Sequence, residues 1–256
     1  MPVSNAKIKL IQSLKNKKYR KKHGLFFIEG EKNVKEVFNS DIKIRIVAAT
    51  ETWLEANTEI IKSVDEYYKV TQKELQKISF LKTPEHVLVV AEIPDQFYDE
   101  NEVTASLCLG LERINDPGNL GTIVRLADWF GISHIFCSPE SVDIYNPKAV
   151  QATMGAISRM KVHYADLNEI SEKFSRKGLS VFGTFLEGQN IYKTVLPCKG
   201  LIIFGSESHG ISKKLAEKID KKLFIPNWPK KSAQAESLNI AMAASIVCSE
   251  FRREFL

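Results

Sequence analysis

The sequence predicts an α/β protein in which a parallel sheet covered by helices follows a small α/β domain. Strand and helix patterns alternate along nearly the whole chain, an order typical of α/β folds. The strands after residue 106 are continuous apolar runs, such as 107–111 and 201–204, as expected for parallel strands covered on both faces. A polar, acidic stretch separates the two halves. We therefore predict a first domain over residues 1–97, a linker over 98–106 and a second domain over 107–256.

In the first domain, apolar residues at helical spacing predict a helix over 4–15, followed by a basic run. Thr71 and Glu74 have the spacing of a capping box, which predicts a helix through Ile78. The predicted strands are 25–28, 44–48, 67–70 and 86–93, with further helices around 34–38 and over 51–62.

In the second domain, strands alternate with helices to the end of the chain. Asn146 and Pro147 predict the start of a helix, as cap and first residue. The predicted strands are 107–111, 134–137, 160–164, 180–184, 201–204 and 223–225. The other predicted helices are 120–130, 167–177, 212–219 and a long one beginning near Ser237.

The composition is that of a soluble globular protein, with 44% hydrophobic and 26% charged residues. No apolar run is long enough to span a bilayer, and the basic N-terminus lacks the apolar core of a signal peptide. We expect a cytoplasmic protein with no membrane partner. The four cysteines and five histidines form no C-x-x-C pair or metal-ligand spacing, so we expect buried, reduced thiols and no metal.

The distribution of charge is uneven. Residues 1–28 contain eight Lys or Arg residues and no acidic residue, whereas the whole chain has a net charge of +5. A solvated helix face is the ordinary explanation of a charge run, but eight uncompensated cations favour a polyanion such as nucleic acid. The candidate nucleic-acid-binding residues are Lys15, Lys17, Lys18, Arg20, Lys21 and Lys22.

Three segments carry polar residues at the ends of apolar strands, where parallel sheets bind ligands. In the first, 115–131, Asp116-Pro-Gly predicts a tight turn and Asn119 is the expected helix cap. Arg125 lies on a different face from the buried stripe, and spacing alone allows a surface salt bridge equally well. The second, 201–212, has a glycine-bounded loop around Glu207, but Ile211 replaces the lysine of a nucleotide phosphate-binding loop. The third, 223–246, places Ser237 and Asn239 at a helix start, either with Ser237 as the cap and Asn239 spare or with both facing a ligand.

In this order the three segments resemble the three signature motifs of the SpoU family of RNA ribose methyltransferases, in the SPOUT superfamily. The resemblance covers about 107–255, and the segment near 19–37 resembles the family's N-terminal substrate-binding domain. The third motif departs from the common form, because Asn227 replaces a methionine and the loop after it is longer. Ser237, Leu238 and Asn239 are intact.

The resemblance implies a C-terminal trefoil knot, a homodimer through the C-terminal domain and transfer of a methyl group from S-adenosylmethionine to a ribose 2′-hydroxyl, most plausibly of ribosomal RNA. A transfer-RNA methyltransferase and a non-catalytic RNA-binding protein on this fold are the alternatives. The implied catalytic residues are Asn119, Arg125, Glu207, Ser237 and Asn239. The implied cofactor-binding residues are Thr184, Phe185, Leu186, Gly188, Phe204, Gly205, Ser206, Glu207, Ile225 and Leu238.

Overall fold

The computed structural model describes residues 3–95, 97–228 and 237–255. The chain divides into two compact units. The first combines residues 1–95 with residues 143–159, and the second combines 96–142 with 160–256. Residues 143–159, which the sequence places in the second domain, therefore pack as part of the first unit.

The described part of the chain contains twelve α-helices and ten β-strands. The strands are β1 (Leu25–Glu29), β2 (Ile44–Ala49), β3 (Glu66–Lys69), β4 (Val87–Glu92), β5 (Leu107–Leu111), β6 (His134–Cys137), β7 (Lys161–Tyr164), β8 (Val181–Asn190), β9 (Gly200–Phe204) and β10 (Lys221–Phe224). The helices are α1 (Asn5–Ser13), α2 (Lys17–His23), α3 (Glu31–Phe38), α4 (Glu51–Ala56), α5 (Thr58–Ile61), α6 (Gln72–Ile78), α7 (Glu100–Thr104), α8 (Pro117–Trp129), α9 (Pro147–Ala152), α10 (Leu167–Arg176), α11 (Lys213–Ala216) and α12 (Ile240–Arg253).

The first unit is built on a four-stranded mixed sheet of order β1-β4-β2-β3. Only β2 and β3 pair in parallel; the other pairs are antiparallel. Buried Phe27, Ile46 and Leu88 form its core with residues of α1 and α6. The predicted capping box of α6 is present, with Thr71 and Glu74 satisfying each other's backbone N–H groups.

The segment 143–159 joins this unit through one buried ion pair and aromatic packing. The Arg20 side chain is 2% exposed, and its guanidinium donates to Asp143 Oδ2 at 2.6 Å and to the carbonyls of Leu14 and Lys15 at 2.8 Å. Tyr145 packs on Phe26, with ring centroids 4.7 Å apart. Arg20 is therefore a structural residue of the core, and the RNA-contacting role expected for it is wrong because its guanidinium is buried and paired.

The second unit is built on a six-stranded, all-parallel sheet of order β10-β8-β9-β5-β6-β7. All residues of β5, β6 and β9 are buried, as their continuous apolar runs predict. The predicted fold class, a parallel sheet with helices preceded by a smaller α/β unit, is confirmed; the trefoil knot stays a prediction.

Two helix starts differ from the sequence analysis. Helix α8 begins at Pro117, and its cap is Asp116, whose carboxylate accepts from Asn119 N at 2.7 Å. The expected cap role of Asn119 is therefore wrong, because Pro117 is the first helical residue and places the cap at Asp116, three residues upstream of Asn119. Helix α12 begins at Ile240 with Asn239 as its cap, three residues beyond Ser237.

Three of the four cysteines are buried and Cys198 is exposed. Burial raises the pKa of the Cys108 thiol to about 11 and that of Cys137 to about 12, so both stay protonated at neutral pH. Among the described residues, no helix is both long and apolar enough to cross a bilayer. Within the same residues, no group of three or more His, Cys, Asp or Glu side chains is placed to hold a metal ion.

Candidate active site

The first two motifs follow the neighbouring strands β5 and β9, the third follows β10 on the far side of β8, and all three meet at the carboxyl edge of the parallel sheet. Strands β5 and β9 are paired with Leu111 opposite Phe204, and Glu112 N continues the ladder by donating to the Phe204 carbonyl at 2.9 Å. The loop that leads to Asn119 therefore starts beside the loop that carries Glu207.

The loop after β5 is held by polar groups that the sequence analysis missed. Backbone N–H groups of Arg113 and Ile114 donate to the hydroxyls of Ser138 and Ser141 at 2.9 and 3.1 Å. The Glu112 side chain, 7% exposed, accepts from Ser212 N at 2.7 Å. This hydrogen bond connects the loop after β5 to the segment after β9. The signal for the serines was their position directly after the buried strand β6.

The loop after β9 turns back on itself within six residues. Gly210 N donates to the Ser206 carbonyl at 2.8 Å. A Cβ at Gly205 would lie 2.1 Å from the Gly210 carbonyl carbon, closer than real Cβ contacts, so only glycine allows this closure. Gly210 itself has a φ of +65°, which favours glycine. The closure fixes the backbone on either side of Glu207.

Three side chains, one from each motif, form a closed hydrogen-bonded triangle. Asn119 Nδ2 donates to Glu207 Oε1 at 2.9 Å. Asn239 Nδ2 donates to Asn119 Oδ1 and to Glu207 Oε1, both at 3.1 Å. We call these three residues the motif triangle. The structure thus brings together three of the five predicted catalytic residues.

The motif triangle lies at the N-terminus of α12. Asn239 Oδ1 accepts from Ala241 N at 2.9 Å, the capping bond of this helix, and Ile240 N donates to Glu207 Oε1 at 3.4 Å. Free N–H groups and the helix dipole favour a carboxylate at this position. Asn239 is therefore both the helix cap, the role expected for Ser237, and a partner of Glu207. Contact of this polar pair with a ligand stays a prediction.

Arg125 and Ser237 are not part of the motif triangle. Arg125 is exposed on α8, about 9 Å further along the helix axis than Asn119 at ~1.5 Å per residue. No hydrogen bond or ion pair joins its guanidinium to a residue of the described ranges. The same is true of the exposed Ser237 hydroxyl within those ranges. Both are open to an incoming ligand.

The segment 184–188, expected to be a cofactor loop, lies within β8 at an irregularity of its pairing, whereas the other two cofactor segments follow β9 and β10. Where β10 passes from Lys222 to Leu223, its partner on β8 jumps from Gly183 to Gln189, so residues 184–188 leave that pairing. Thr184 Oγ1 donates to the Ile203 carbonyl at 3.4 Å, and Leu186 is 73% exposed. Phe204 and Ser206 are buried, and their carbonyls accept from Glu112 N and Gly210 N, whereas Leu238 is 50% exposed. Ile225 is half-buried, and the residues 229–236 of its loop lie outside the described ranges.

The predicted RNA-binding residues other than Arg20 are all exposed. Four of them are on α2, which has no acidic residue in its first turn and four basic residues in its last. This helix therefore presents a cationic surface on the first unit.

Comparison with known proteins places these features in a family. The model of the SpoU rRNA methylase family matches residues 106–249, a span that contains all three motifs. The chain belongs to this SpoU family. Residues 5–89 match a second model, described as the MRM3-like substrate binding domain.

Two relatives align with nearly the whole of this SpoU chain. The 23S rRNA (guanosine(2553)-2'-O)-methyltransferase RlmP of Bacillus subtilis is 30% identical over 250 residues, covering 97% of this chain and 96% of the relative. The mitochondrial rRNA methyltransferase 3 of Xenopus laevis is 27% identical, covering 96% of this chain and 73% of the relative.

Solved structures agree with these sequence matches. A TrmH-family protein of Porphyromonas gingivalis has a TM-score of 0.87 at 34% identity, covering 99% of this chain and 100% of that one. An AdoMet-bound rRNA methyltransferase of Sinorhizobium meliloti has a TM-score of 0.86 at 26% identity, covering 100% of this chain and 97% of that one. The family predicted from the three motifs is confirmed.

Proposed function

We propose that the chain is an S-adenosylmethionine-dependent ribosomal RNA 2′-O-ribose methyltransferase. The observation that carries the proposal is the motif triangle, which unites Asn119, Glu207 and Asn239 at the carboxyl edge of the parallel sheet. The names of relatives that align over nearly the whole chain support ribosomal RNA as the substrate and the ribose as the site.

The residues around the carboxyl edge fit S-adenosylmethionine by the chemistry of their groups. Exposed Leu186 and Leu238 offer apolar surface for an aromatic ring. The glycine-closed loop 205–210 and the unpaired segment 184–188 offer backbone polar groups. We propose that these loops, with Phe185, Gly188 and Ile225, hold the cofactor. When bound, it supplies an electrophilic methyl group on a sulfonium.

The methyl acceptor is a ribose hydroxyl. Its oxygen forms a bond to the methyl carbon as the bond from that carbon to sulfur breaks, and its proton passes to solvent at this exposed site. Arg125 is unsuited to take that proton, because a guanidinium stays protonated at any working pH. We assign it to stabilising the negative charge that develops on the ribose oxygen and to fixing the adjacent phosphate. The Arg125 guanidinium is exposed and has no partner in the described ranges, so it is free to contact the substrate.

The motif triangle and Ser237 orient the substrate. Glu207 accepts from two amides and a helix N–H, so its carboxylate is fixed before substrate binds. Such a fixed acceptor holds a ribose hydroxyl in one orientation and lowers the entropy cost of the reaction. The Ser237 hydroxyl is exposed and adjoins Leu238, a place from which it reaches the same ligand.

We also propose a homodimer formed by the second unit. On α12, Met242 is 59% exposed, and on α8, which packs against α12, Trp129 is 85% exposed. Ile246 adds a partly exposed apolar side chain one turn beyond Met242. Surplus apolar surface of this kind marks an interface, and a partner there would lie along the helices that carry Arg125 and Asn239.

We expect the protein to work in the cytoplasm.

The experiment is a methyl-transfer assay on RNA from cells lacking this protein. Incubation with labelled S-adenosylmethionine should label one ribose in the large-subunit RNA, detected as a 2′-O-methyl block to alkaline cleavage. Label on transfer RNA instead would favour the second candidate function, a transfer-RNA methyltransferase. A relative from Synechocystis that is named as a tRNA/rRNA methyltransferase supports testing this candidate. No cofactor binding by calorimetry, with or without RNA, would overturn the proposal and favour a non-catalytic RNA-binding protein.

A further inference from the structure

A cavity of about 300 Å³ lies within the first unit. The Phe27 and Phe80 rings line it, tilted 35° to each other with centroids 4.3 Å apart. Leu81 and residues 147, 150 and 152 of α9 complete its apolar wall. None of these residues belongs to the three motifs, and methyl transfer gives them no role.

Two polar side chains enter the cavity. Glu29, 6% exposed, accepts from Phe80 N at 2.9 Å and from the Ser79 hydroxyl. Each carboxylate oxygen has two lone pairs, so both oxygens still have capacity for a further donor. Gln151 Oε1 accepts from Asn33 Nδ2 at 3.1 Å, and no described residue accepts from the Gln151 NH2 group. The cavity therefore presents both an acceptor and a donor.

Cations stand around the same cavity. Lys15 Nζ lies 5.6 Å from the centroid of the Phe80 ring, and exposed Lys148 of α9 lines the cavity. Neither ammonium forms an ion pair with a carboxylate of the described ranges. The α2 lysines follow Lys15 directly in the chain. A ligand that suits this arrangement has a flat aromatic part and an anionic part.

We propose that this cavity binds one unpaired nucleobase of the RNA substrate, with the neighbouring phosphates on Lys15 and Lys148. Nucleobases carry N–H donors and ring or carbonyl acceptors on one edge, which match Glu29 and Gln151. Proteins read single-stranded RNA by stacking splayed-out bases on aromatic rings. An acidic peptide suits the lysines equally, but its carboxylates would be repelled by Glu29. The inference rests on the proposed function, because it takes RNA as the substrate.

The test uses the full chain and a short single-stranded RNA that contains 2-aminopurine, whose fluorescence falls when the base stacks. Ala152→Phe fills the cavity and deletes none of its contacts. It should lower RNA affinity roughly tenfold, the loss expected for one stacked base, and abolish the fluorescence change. Lys148→Ala should lower the slope of log affinity against log salt by about 0.7, one phosphate contact on a single strand.

Lys73→Ala, an exposed lysine of α6 outside the cavity, is the matched control and should change neither quantity. Circular dichroism and an unchanged unfolding temperature establish that Ala152→Phe folds. If this folded variant binds the RNA and quenches 2-aminopurine as wild type does, the base site is overturned. Binding of an acidic aromatic peptide in place of RNA would overturn it too. The affinity for S-adenosylmethionine is measured in parallel. If the wild-type protein does not bind S-adenosylmethionine, the proposed function is contradicted. If the wild-type protein binds it and Ala152→Phe binds RNA as wild type does, only the base site is contradicted.

Discussion

Asn119 donates a 2.9 Å hydrogen bond to Glu207, although 88 positions separate the two residues in the chain. Asn239 closes the motif triangle from 32 positions beyond Glu207. Because the hydrogen bonds join three loops, each member of the motif triangle positions the other two. The first prediction addresses this carboxylate.

Glu207→Ala removes the acceptor shared by both amides and by Ile240 N. We expect turnover to fall roughly ten- to a hundredfold, since hydrogen bonds to a charged group contribute about 1.5–3 kcal/mol each. Single-turnover methyl transfer at saturating cofactor measures this change. Glu169→Ala, an exposed carboxylate on α10, is the control. Equal turnover in both variants would mean that the motif triangle connects the three loops but takes no part in catalysis.

Arg125→Ala should lower turnover strongly and leave the affinity for S-adenosylmethionine unchanged, because its assigned role arises in the transition state. Removing one such electrostatic contact costs about 10²–10³-fold in kcat. Calorimetry gives the affinity, and single-turnover kinetics the rate. Arg176→Ala on α10 is the matched control. A wild-type rate for Arg125→Ala would mean that Arg125 is an ordinary surface residue without a catalytic role.

The basic helix α2 is tested by substitution and not by deletion. Removing residues 1–28 would also remove the core residues Ile11 and Leu14 and most of β1, so the unit would unfold. Replacing Lys18, Lys21 and Lys22 with Gln keeps the core. The salt slope of RNA binding should fall by about 0.7 for each lost contact with single-stranded RNA. An unaltered slope would mean that these lysines are only solvated surface.

The proposed homodimer predicts a sedimentation mass of twice 29.0 kDa at micromolar concentration. Met242→Arg places a charge in the proposed interface and should yield monomers, because a buried charge without a partner costs several kcal/mol. Lys213→Glu on α11 is a surface control. A wild-type mass near that of one chain would exclude the dimer at this concentration.

Arg20→Ala tests the ion pair inside the first unit. Removing one partner of a buried ion pair costs about 3–5 kcal/mol, and here two carbonyls also lose their donor. We expect a loss of that order in the free energy of unfolding by urea. Lys21→Ala, its exposed neighbour, should change stability by less than ~0.5 kcal/mol. Similar midpoints for the two variants would contradict the structural role of Arg20.

The sequence was sufficient to predict that the three motifs lie at one edge of the sheet, because each residue of the motif triangle follows a buried apolar strand or starts the helix after one, but it did not predict the hydrogen bonds between them. Parallel strands bring such positions to one edge whatever their distance in the chain. The helix cap at Asp116 was predictable too, since Pro117 is the usual first helical residue after a cap. Asn119 is also a good capping residue, and residue type alone favoured the wrong position.

The sequence could not predict where residues 143–159 pack. The pattern of Asn146 and Pro147 predicts a helix start, and α9 is present, but nothing in its apolar spacing says which sheet it covers. The ion pair that decides the matter joins Arg20 to Asp143, 123 positions apart. A basic residue inside a basic run gives no sign of being buried.

The packing of residues 143–159 with the first unit has a consequence for the order of synthesis. A nascent chain released as far as residue 95 has every strand of its first sheet, but not the carboxylate for Arg20 or the ring that covers Phe26. Domains usually fold in order from the N-terminus during translation. The first unit therefore cannot complete its core until Asp143 and Tyr145 have emerged. The first unit matures only after β5, α8 and β6 of the second have been made, so the two units cannot be produced separately by one cut in the gene.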